Sequence, residues 1–194
     1  MGIVCPLGEA IESVWDKMKA GESGISKTTI FDASTFPTTF SAEVKNYDFA
    51  KYLKNAEMHK HSNRGSRFAL GATVQACRQA GIDIETEEPT DGIARDRLGI
   101  YLGAGEGSAD NDVFFTALVK SWNDQAGQID WGKWTKEALA TMRPMHELEQ
   151  ESNMPVSHIA VLTGARGPTR SCLTACAAST QAIGEATMII RRGP

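Results

Sequence analysis

Cys176 stands in the run Thr174-Ala175-Cys176-Ala177-Ala178-Ser179, where an extended stretch gives way to small, helix-compatible residues. The extended stretch covers Thr169 to Thr174 and follows a turn marked by Gly164-Ala165-Arg166-Gly167-Pro168. Beyond the cysteine, Ala178, Ala182, Ala186 and Ile189 recur at helical spacing and define one face of a helix. A thiol in the first turn of a helix meets free N–H groups and the positive end of the helix dipole, which favour the thiolate. Such a thiolate can attack an acyl thioester and carry the acyl group covalently. Ala175, Ala177 and Ala178 leave room for a substrate to reach the sulfur. On spacing alone a single cysteine also reads as a small buried hydrophobe, so the motif by itself leaves both readings open.

The elements that must position this residue follow from periodicity. Ile11, Val14, Trp15 and Met18 form the apolar stripe of an amphipathic helix over 10–20, which Gly21 is placed to end. Ser23 to Ser41 is rich in Ser, Thr and Pro and reads as irregular, with a short strand expected around Phe40 to Val44 and a helical turn at Phe49 to Leu53. A longer helix is expected from about Asn63 to Ala80, with Phe68, Ala72, Ala76 and Gln79 on its inner face and Gly81 as its stop. Its start is basic, with Lys60, Arg64 and Arg67 beside His59 and His61; by default this is a solvated helix end. Glu85 to Asp96 is an acidic turn-forming loop. Leu98 to Leu102 suits a strand buried on both faces. The Gly103-Ala104-Gly105-Glu106-Gly107 turn that follows lacks the third glycine of a dinucleotide fingerprint, since position 108 is serine, and a nucleotide site is discounted. Helices are expected over Val113–Trp122, Trp131–Met142 and Val156–Leu162, with Phe114, Phe115, Trp122, Trp131 and Trp134 as an aromatic cluster and His158 as a packed histidine. Alternating strands and helices make this an α/β chain with a mixed sheet.

Composition narrows the function classes. At 194 residues with 41% hydrophobic residues, the chain can bury a core. A net charge of −4 gives no strong attraction to nucleic acid or anionic membranes. No apolar run approaches the roughly 18 residues of a membrane span, and no leader-like segment opens the chain. The four cysteines and four histidines make no CxxC pair and no zinc pattern, so a reduced, cytoplasmic chain without a structural metal is expected.

The segment from Thr174 to Ala186, Thr-Ala-Cys-Ala-Ala-Ser-Thr-Gln-Ala-Ile-Gly-Glu-Ala, resembles the active-site segment of the beta-ketoacyl-acyl-carrier-protein synthases. Four further stretches match in order: Cys5-Pro6-Leu7-Gly8, Gly21-Glu22-Ser23-Gly24-Ile25, Leu98 to Gly105, and the Gly164–Pro168 turn. The resemblance implies the N-terminal half of a thiolase-type layered α-β-α-β-α fold, with Cys176 on a central active-site helix. On that reading residues 1–194 are one ketosynthase N-terminal domain cut at both ends, with a divergent, cap-like segment over 109–151. It also implies decarboxylative condensation of a cysteine-bound acyl chain with a malonyl-acyl carrier protein, in fatty-acid or polyketide synthesis, without a cofactor. The two assisting histidines and a second oxyanion donor are then expected beyond residue 194. Glu106, with Gly105 and Gly107, falls where the family gates its acyl pocket, and Lys60, Arg64 and Arg67 fall where it docks the acyl carrier protein in its acyl and malonyl forms. Thr169 to Leu173 corresponds to a strand at a dimer interface, either between identical chains or with a ketosynthase-like partner. Two other functions compete. One is a non-condensing partner subunit that sets chain length, although such partners typically lack the cysteine; the other is a Cys-dependent thiolase or hydrolase.

Overall fold

The computed structural model describes residues 1–84, 86, 88–107 and 110–193. Two residues of the acidic loop, Ser108 of the glycine turn, the first residue of the 109–151 segment and Pro194 lie outside the described residues. The chain divides into two compact units: one of Met1–Lys60, Arg64–Gly99 and His158–Pro168, the other of His61–Asn63, Ile100–Ser157 and Thr169 onward.

The first unit opens with helix α1, Ile11–Lys19. It ends as expected, with the Glu22 N–H donating to the Lys17 carbonyl (3.0 Å) and Gly21 at φ 71°. Its apolar stripe is only partly used. The covered line is Ile11, Val14 and Lys17, whose Nζ donates to the Leu7 carbonyl (2.7 Å), while Trp15 and Met18 face solvent. Strand β1, Ile25–Lys27, pairs antiparallel with β2, Phe40–Ala42, in the register Ile25 to Ala42. The partner strand lies in the stretch read as irregular, because Ile-Ser-Lys carries too little pattern to announce itself. Just past β2, the buried Glu43 accepts from the Thr29 hydroxyl (2.7 Å), the Thr29 N–H (2.8 Å) and the Ile30 N–H (3.2 Å).

A 3-10 turn at Phe49–Tyr52 matches the expected helical turn, and a second covers Ala56–His59. Helix α2, Arg64–Ala80, is present, but it buries Ser66, Leu70, Val74 and Cys77 rather than the face containing Phe68 and Ala72. Alanines on both faces made the two stripes alike in period, and the larger volumes of Leu70 and Val74 decide which is covered. Phe68 is half-buried, edge-on to Tyr47 at 5.1 Å. His158 is packed, and its Nδ1 lies 2.9 Å from that of His59, another buried histidine. In the loop after α2, Asp91 accepts from Arg95 (2.8 Å), from the Ile93 N–H (2.9 Å) and from the Asp83 N–H (2.7 Å).

In the second unit, strand β3, Ile100–Gly103, pairs in parallel with the later strand β6, Thr169–Cys172, so that Ile100 faces Thr169 and Gly103 faces Cys172. With one neighbour, β3 is half-buried instead of covered on both faces. Helix α3, Asn111–Lys120, is capped by Asp110, whose side chain accepts from the Val113 N–H. A short hairpin follows: β4, Trp122–Asn123, against β5, Gln128–Ile129. Helix α4, Trp131–Thr141, is capped in the same way by Asp130. Between α3 and α4 the buried positions are small ones, Ala117, Ser121 and Ala138. The aromatics form an edge-to-face chain, Trp131 to Trp134 (6.0 Å) and Trp134 to Phe114 (6.5 Å), with Trp131 largely exposed. Helix α5, Pro144–Leu148, precedes α6, Met154–Thr163. Helix α7, Ala178–Arg192, packs on β3 and β6. The strands thus form one parallel and two antiparallel pairs, with no single mixed sheet among the described residues. No helix among them is long and apolar enough to cross a membrane.

Bonds from Thr29 hold the Glu43 carboxyl at about 2, and bonds from Arg95 hold Asp91 at about 2. Both values lie below the ordinary carboxylate range of about 4. Folding therefore binds these protons more weakly than the unfolded chain does, and the stabilisation is complete above about pH 4 and lost as pH falls towards 2. The thermal midpoint should fall steeply across that window, and Asp91→Asn should lower it at neutral pH while flattening the acid limb. An acid limb as steep in the variant as in the parent would refute the assignment.

Candidate active site

The peptide leaves β6 at Cys172, and Ala175–Ala177 forms a single 3-10 turn before α7 begins at Ala178. The turn is closed by the Ala177 N–H donating to the Thr174 carbonyl (3.0 Å). Ala175 enters it at φ 46°, a left-handed conformation that costs a residue bearing Cβ about 1–2 kcal/mol. The chain turns sharply there, and Cys176 is carried outward on the bend. Of the four cysteines it is the exposed one; Cys5 is half-buried, and Cys77 and Cys172 are buried. Burial pushes the Cys77 thiol up, away from the reactive thiolate form. The cap of α7 is Ala177, and no side chain bonds to its first turn. The thiol therefore stands beside the uncapped positive end of a 15-residue helix.

What fixes that helix is a close backbone contact. A Cβ placed on Gly103 would lie 2.3 Å from the Ser179 nitrogen and 2.5 Å from its Cα. Only glycine lets the end of β3 touch the first turn of α7 this closely. Ala178 and Ala182, both buried, are the small residues of the facing helix surface. A second set of contacts runs along the outer side of the unit. The Thr174 hydroxyl donates to Gln181 Oε1 (2.8 Å), Gln181 Nε2 donates to Glu185 Oε1 (2.7 Å), and Arg170 Nη1 donates to Glu185 Oε2 (2.5 Å). The bonds from Gln181 and Arg170 hold the Glu185 carboxyl below its ordinary value.

The glycine turn after β3 leaves the same end of the parallel pair as the elbow. Ala104 N–H donates to the Cys172 carbonyl (2.9 Å), so the ladder continues one residue past Gly103 before the turn begins. Gly105, Glu106 and Gly107 are exposed. Their surroundings differ. Around Gly105 there is open space, whereas a Cβ on Gly107 would overlap the Gln150 carbonyl. Gly107 is thus held by packing, and Glu106 projects from a turn anchored on either side, by β3 and by Gln150.

The basic residues before and within α2 are largely engaged. Lys60 pairs with Glu57 on the surface. Arg64 donates to the Val44 carbonyl (2.5 Å) and lies over the Phe68 ring at 5.2 Å. Arg67 donates to the Lys60 carbonyl (2.9 Å) and lies over the Phe49 ring at 4.8 Å. Both arginines tie the 3-10 turns and neighbouring loop to α2. A cavity of about 310 Å³ in the same unit, lined by residues that include Tyr52, His59, Arg78 and Val161, contains none of the candidate residues. Among the described residues no cluster of His, Cys, Asp or Glu is arranged to hold a metal.

The family model for the beta-ketoacyl synthase N-terminal domain matches residues 1–194. A curated 3-oxoacyl-[acyl-carrier-protein] synthase 2 of Synechocystis sp. is 30% identical over 193 residues, which cover 100% of this chain and 41% of that protein. The chain thus spans about two-fifths of the length of this curated relative. Among solved structures, the ishigamide ketosynthase/chain length factor superposes with a TM-score of 0.73 at 20% identity, over 99% of this chain and 43% of its own. A type II polyketide synthase acyl-carrier protein in complex with its ketosynthase bound to the hexaketide gives 0.69 at 19% identity, over 99% and 45%. These likenesses identify the fold as that of a ketosynthase N-terminal half.

Gly103→Ala should displace the first turn of α7. The expected cost is about 1–3 kcal/mol of stability, together with loss of preferential alkylation at Cys176 over Cys5. Gly105→Ala, with open space around it, should do neither. Equal effects from the two substitutions, read by thermal midpoint and by peptide mapping after brief iodoacetamide treatment, would overturn the contact argument.

Proposed function

Because this chain belongs to the beta-ketoacyl synthase family through its N-terminal domain, we propose that Cys176 is the acyl-accepting nucleophile of a condensing enzyme. The observation that carries this reading is an exposed thiol on a left-handed bend at the uncapped N-terminus of α7. The thiolate attacks the carbonyl of an acyl thioester, the tetrahedral intermediate collapses, and the carrier thiolate leaves. A malonyl thioester then loses carbon dioxide to give an enolate, whose carbon attacks the acyl carbonyl on the cysteine. Breaking the C–S bond returns the thiolate and releases a beta-ketoacyl thioester. The N–H of Cys176 is one candidate donor to the oxyanion formed at each acyl transfer.

The acyl groups arrive on an acyl carrier protein, in acyl and malonyl forms. The family relationship and the solved structure of a ketosynthase with its acyl-carrier protein support this partner. Lys60 is the basic candidate on this surface with a flexible head; Arg64 and Arg67 contribute by shaping the site while holding their carbonyls. We place the free edge of β6, with exposed Thr169 and Arg170, at a dimer interface with an identical or ketosynthase-like chain. Cys172 points inward and reports on folding, not on that interface. Carrier-bound chemistry of this type places the protein in the cytoplasm. Residues 1–194 act as one ketosynthase domain in which 109–151 is a divergent cap. The presence of Cys176 disfavours the non-condensing partner reading.

The test is acylation of the whole protein that carries this chain, with an isotope-labelled acyl-carrier thioester and peptide mapping. The label should appear on the peptide containing Cys176 and vanish in Cys176→Ala; a label on Cys5, or one that survives the substitution, would sink the proposal. Glu106 supplies a second prediction. A carboxylate is costly to bury beside a hydrocarbon chain, so its place on the exposed turn fits a short pocket or a polar, keto-bearing acyl group. Glu106→Ile should shift preference towards longer saturated donors, measured as kcat/KM across short, long and keto-substituted thioesters. An unchanged preference order would make Glu106 a bystander.

A further inference from the structure

We propose that Arg170, Glu185, Gln181 and Thr174 form a positioning relay that sets the elbow bearing Cys176; the inference rests on the nucleophile reading above and adds to it the residues that aim the thiol. The order of donors and acceptors is the basis. Arg170, on β6, gives one N–H to Glu185, and Glu185 accepts a second bond from the Gln181 amide nitrogen. A carboxylate only accepts, so it fixes which way the Gln181 amide faces: nitrogen towards Glu185, oxygen towards Thr174. The Thr174 hydroxyl then donates to that oxygen at 2.8 Å. A charge pair between the strand and the helix is in this way transmitted, through one oriented amide, to the residue immediately before the left-handed Ala175.

The relay has a mechanical consequence. Thr174 also supplies the carbonyl that closes the 3-10 turn by accepting from Ala177. Its side chain and its backbone therefore hold opposite ends of the same bend. Gly103 fixes the helix side of that bend from within the unit, and the relay fixes the strand side from without. None of the four residues reaches the reacting atoms, so they are positioning residues rather than catalytic ones. The pair between Arg170 and Glu185 is exposed, at 60% and 24%, and adds little stability on its own. Its role here is to choose an orientation.

The donor–acceptor order makes the relay testable by exchange. Gln181→Glu alone sets two carboxylates against each other with no donor between them. In the double variant Gln181→Glu, Glu185→Gln, every contact can re-form: Glu at 181 accepts from Thr174 and from the new amide at 185, whose oxygen accepts from Arg170. Gln181→Met removes the bonds with no change of charge. The readouts, made in the protein carrying this chain, are the pH profile of Cys176 alkylation and hydrogen exchange at the Ala175–Ala177 amides. Measurement in about 1 M salt suppresses through-space charge effects.

The expected result is that both single variants alkylate between about twofold and tenfold more slowly at Cys176, with a displaced pH profile and faster exchange, and that the double variant returns to the parent in both. Single variants matching the parent, or a double variant no better than Gln181→Glu, would overturn the relay. Should the parent's Cys176 alkylate no faster than Cys5, the nucleophile reading fails. The exchange pattern then still decides whether the relay sets the elbow.

Discussion

The contact between Gly103 and the backbone of Ser179 is the constraint on which the rest of the site depends. At 2.3 Å from a hypothetical Cβ to the Ser179 nitrogen, no side chain fits between strand and helix. Backbone therefore meets backbone, and the first turn of α7 is located to within a few tenths of an ångström by hard-sphere packing, the stiffest interaction available to a protein. The parallel pairing of β3 with β6 extends that location to the other arm of the bend, because Gly103 is in register with Cys172, three residues before the left-handed Ala175. Strand, elbow and helix are thus parts of one rigid corner, and the thiol is its outermost point.

A corner of this kind also explains why the glycine turn and the cysteine turn share a neighbourhood. Both leave the C-terminal ends of parallel strands, and loops at that end converge because the strands run the same way. The Ala104 N–H bonded to the Cys172 carbonyl is the last rung before they part. Gln150, pressed against Gly107, closes the far side of the glycine turn. Glu106 is consequently displayed by geometry that does not depend on its own side chain, which suits a position whose residue type selects among substrates.

The elbow was legible in the sequence because its signals are local: small residues around Cys176, an extended run before it and a helical stripe after it all agree with the observed element bounds. Glycines 21 and 81 stop their helices for the same local reason, a positive φ. Other features need partners distant in the chain. The burial of α2 along Leu70 and Val74, the β1 strand, and the approach of His59 to His158 across 99 positions in sequence carry no periodic signature. The arginines at 64 and 67 show the same limit from the opposite side. Their charge suggested a docking surface, while their carbonyl and ring contacts come from loops whose course no local pattern specifies. Gly103 was visible as a strand-ending glycine, but the reason it must be glycine lies 76 residues further on.

The residue that opens the bend raises a last point of design. A glycine at position 175 would reach φ 46° without the about 1–2 kcal/mol that alanine incurs. It would also bring more unfolded-state freedom, worth about 0.4–1 kcal/mol against folding, and inside the folded state it would open neighbouring backbone conformations to the turn. The two terms partly cancel in stability, so stability alone gives little reason to prefer either residue. They do not cancel in precision. An alanine forced into a narrow left-handed well, between a helix pinned by Gly103 and a threonine pinned by Gln181, has few other conformations to visit. The small energetic cost at Ala175 is thereby converted into a fixed direction for the Cys176 sulfur, and for a nucleophile that must meet a carbonyl along a defined line, direction matters more than the energy lost.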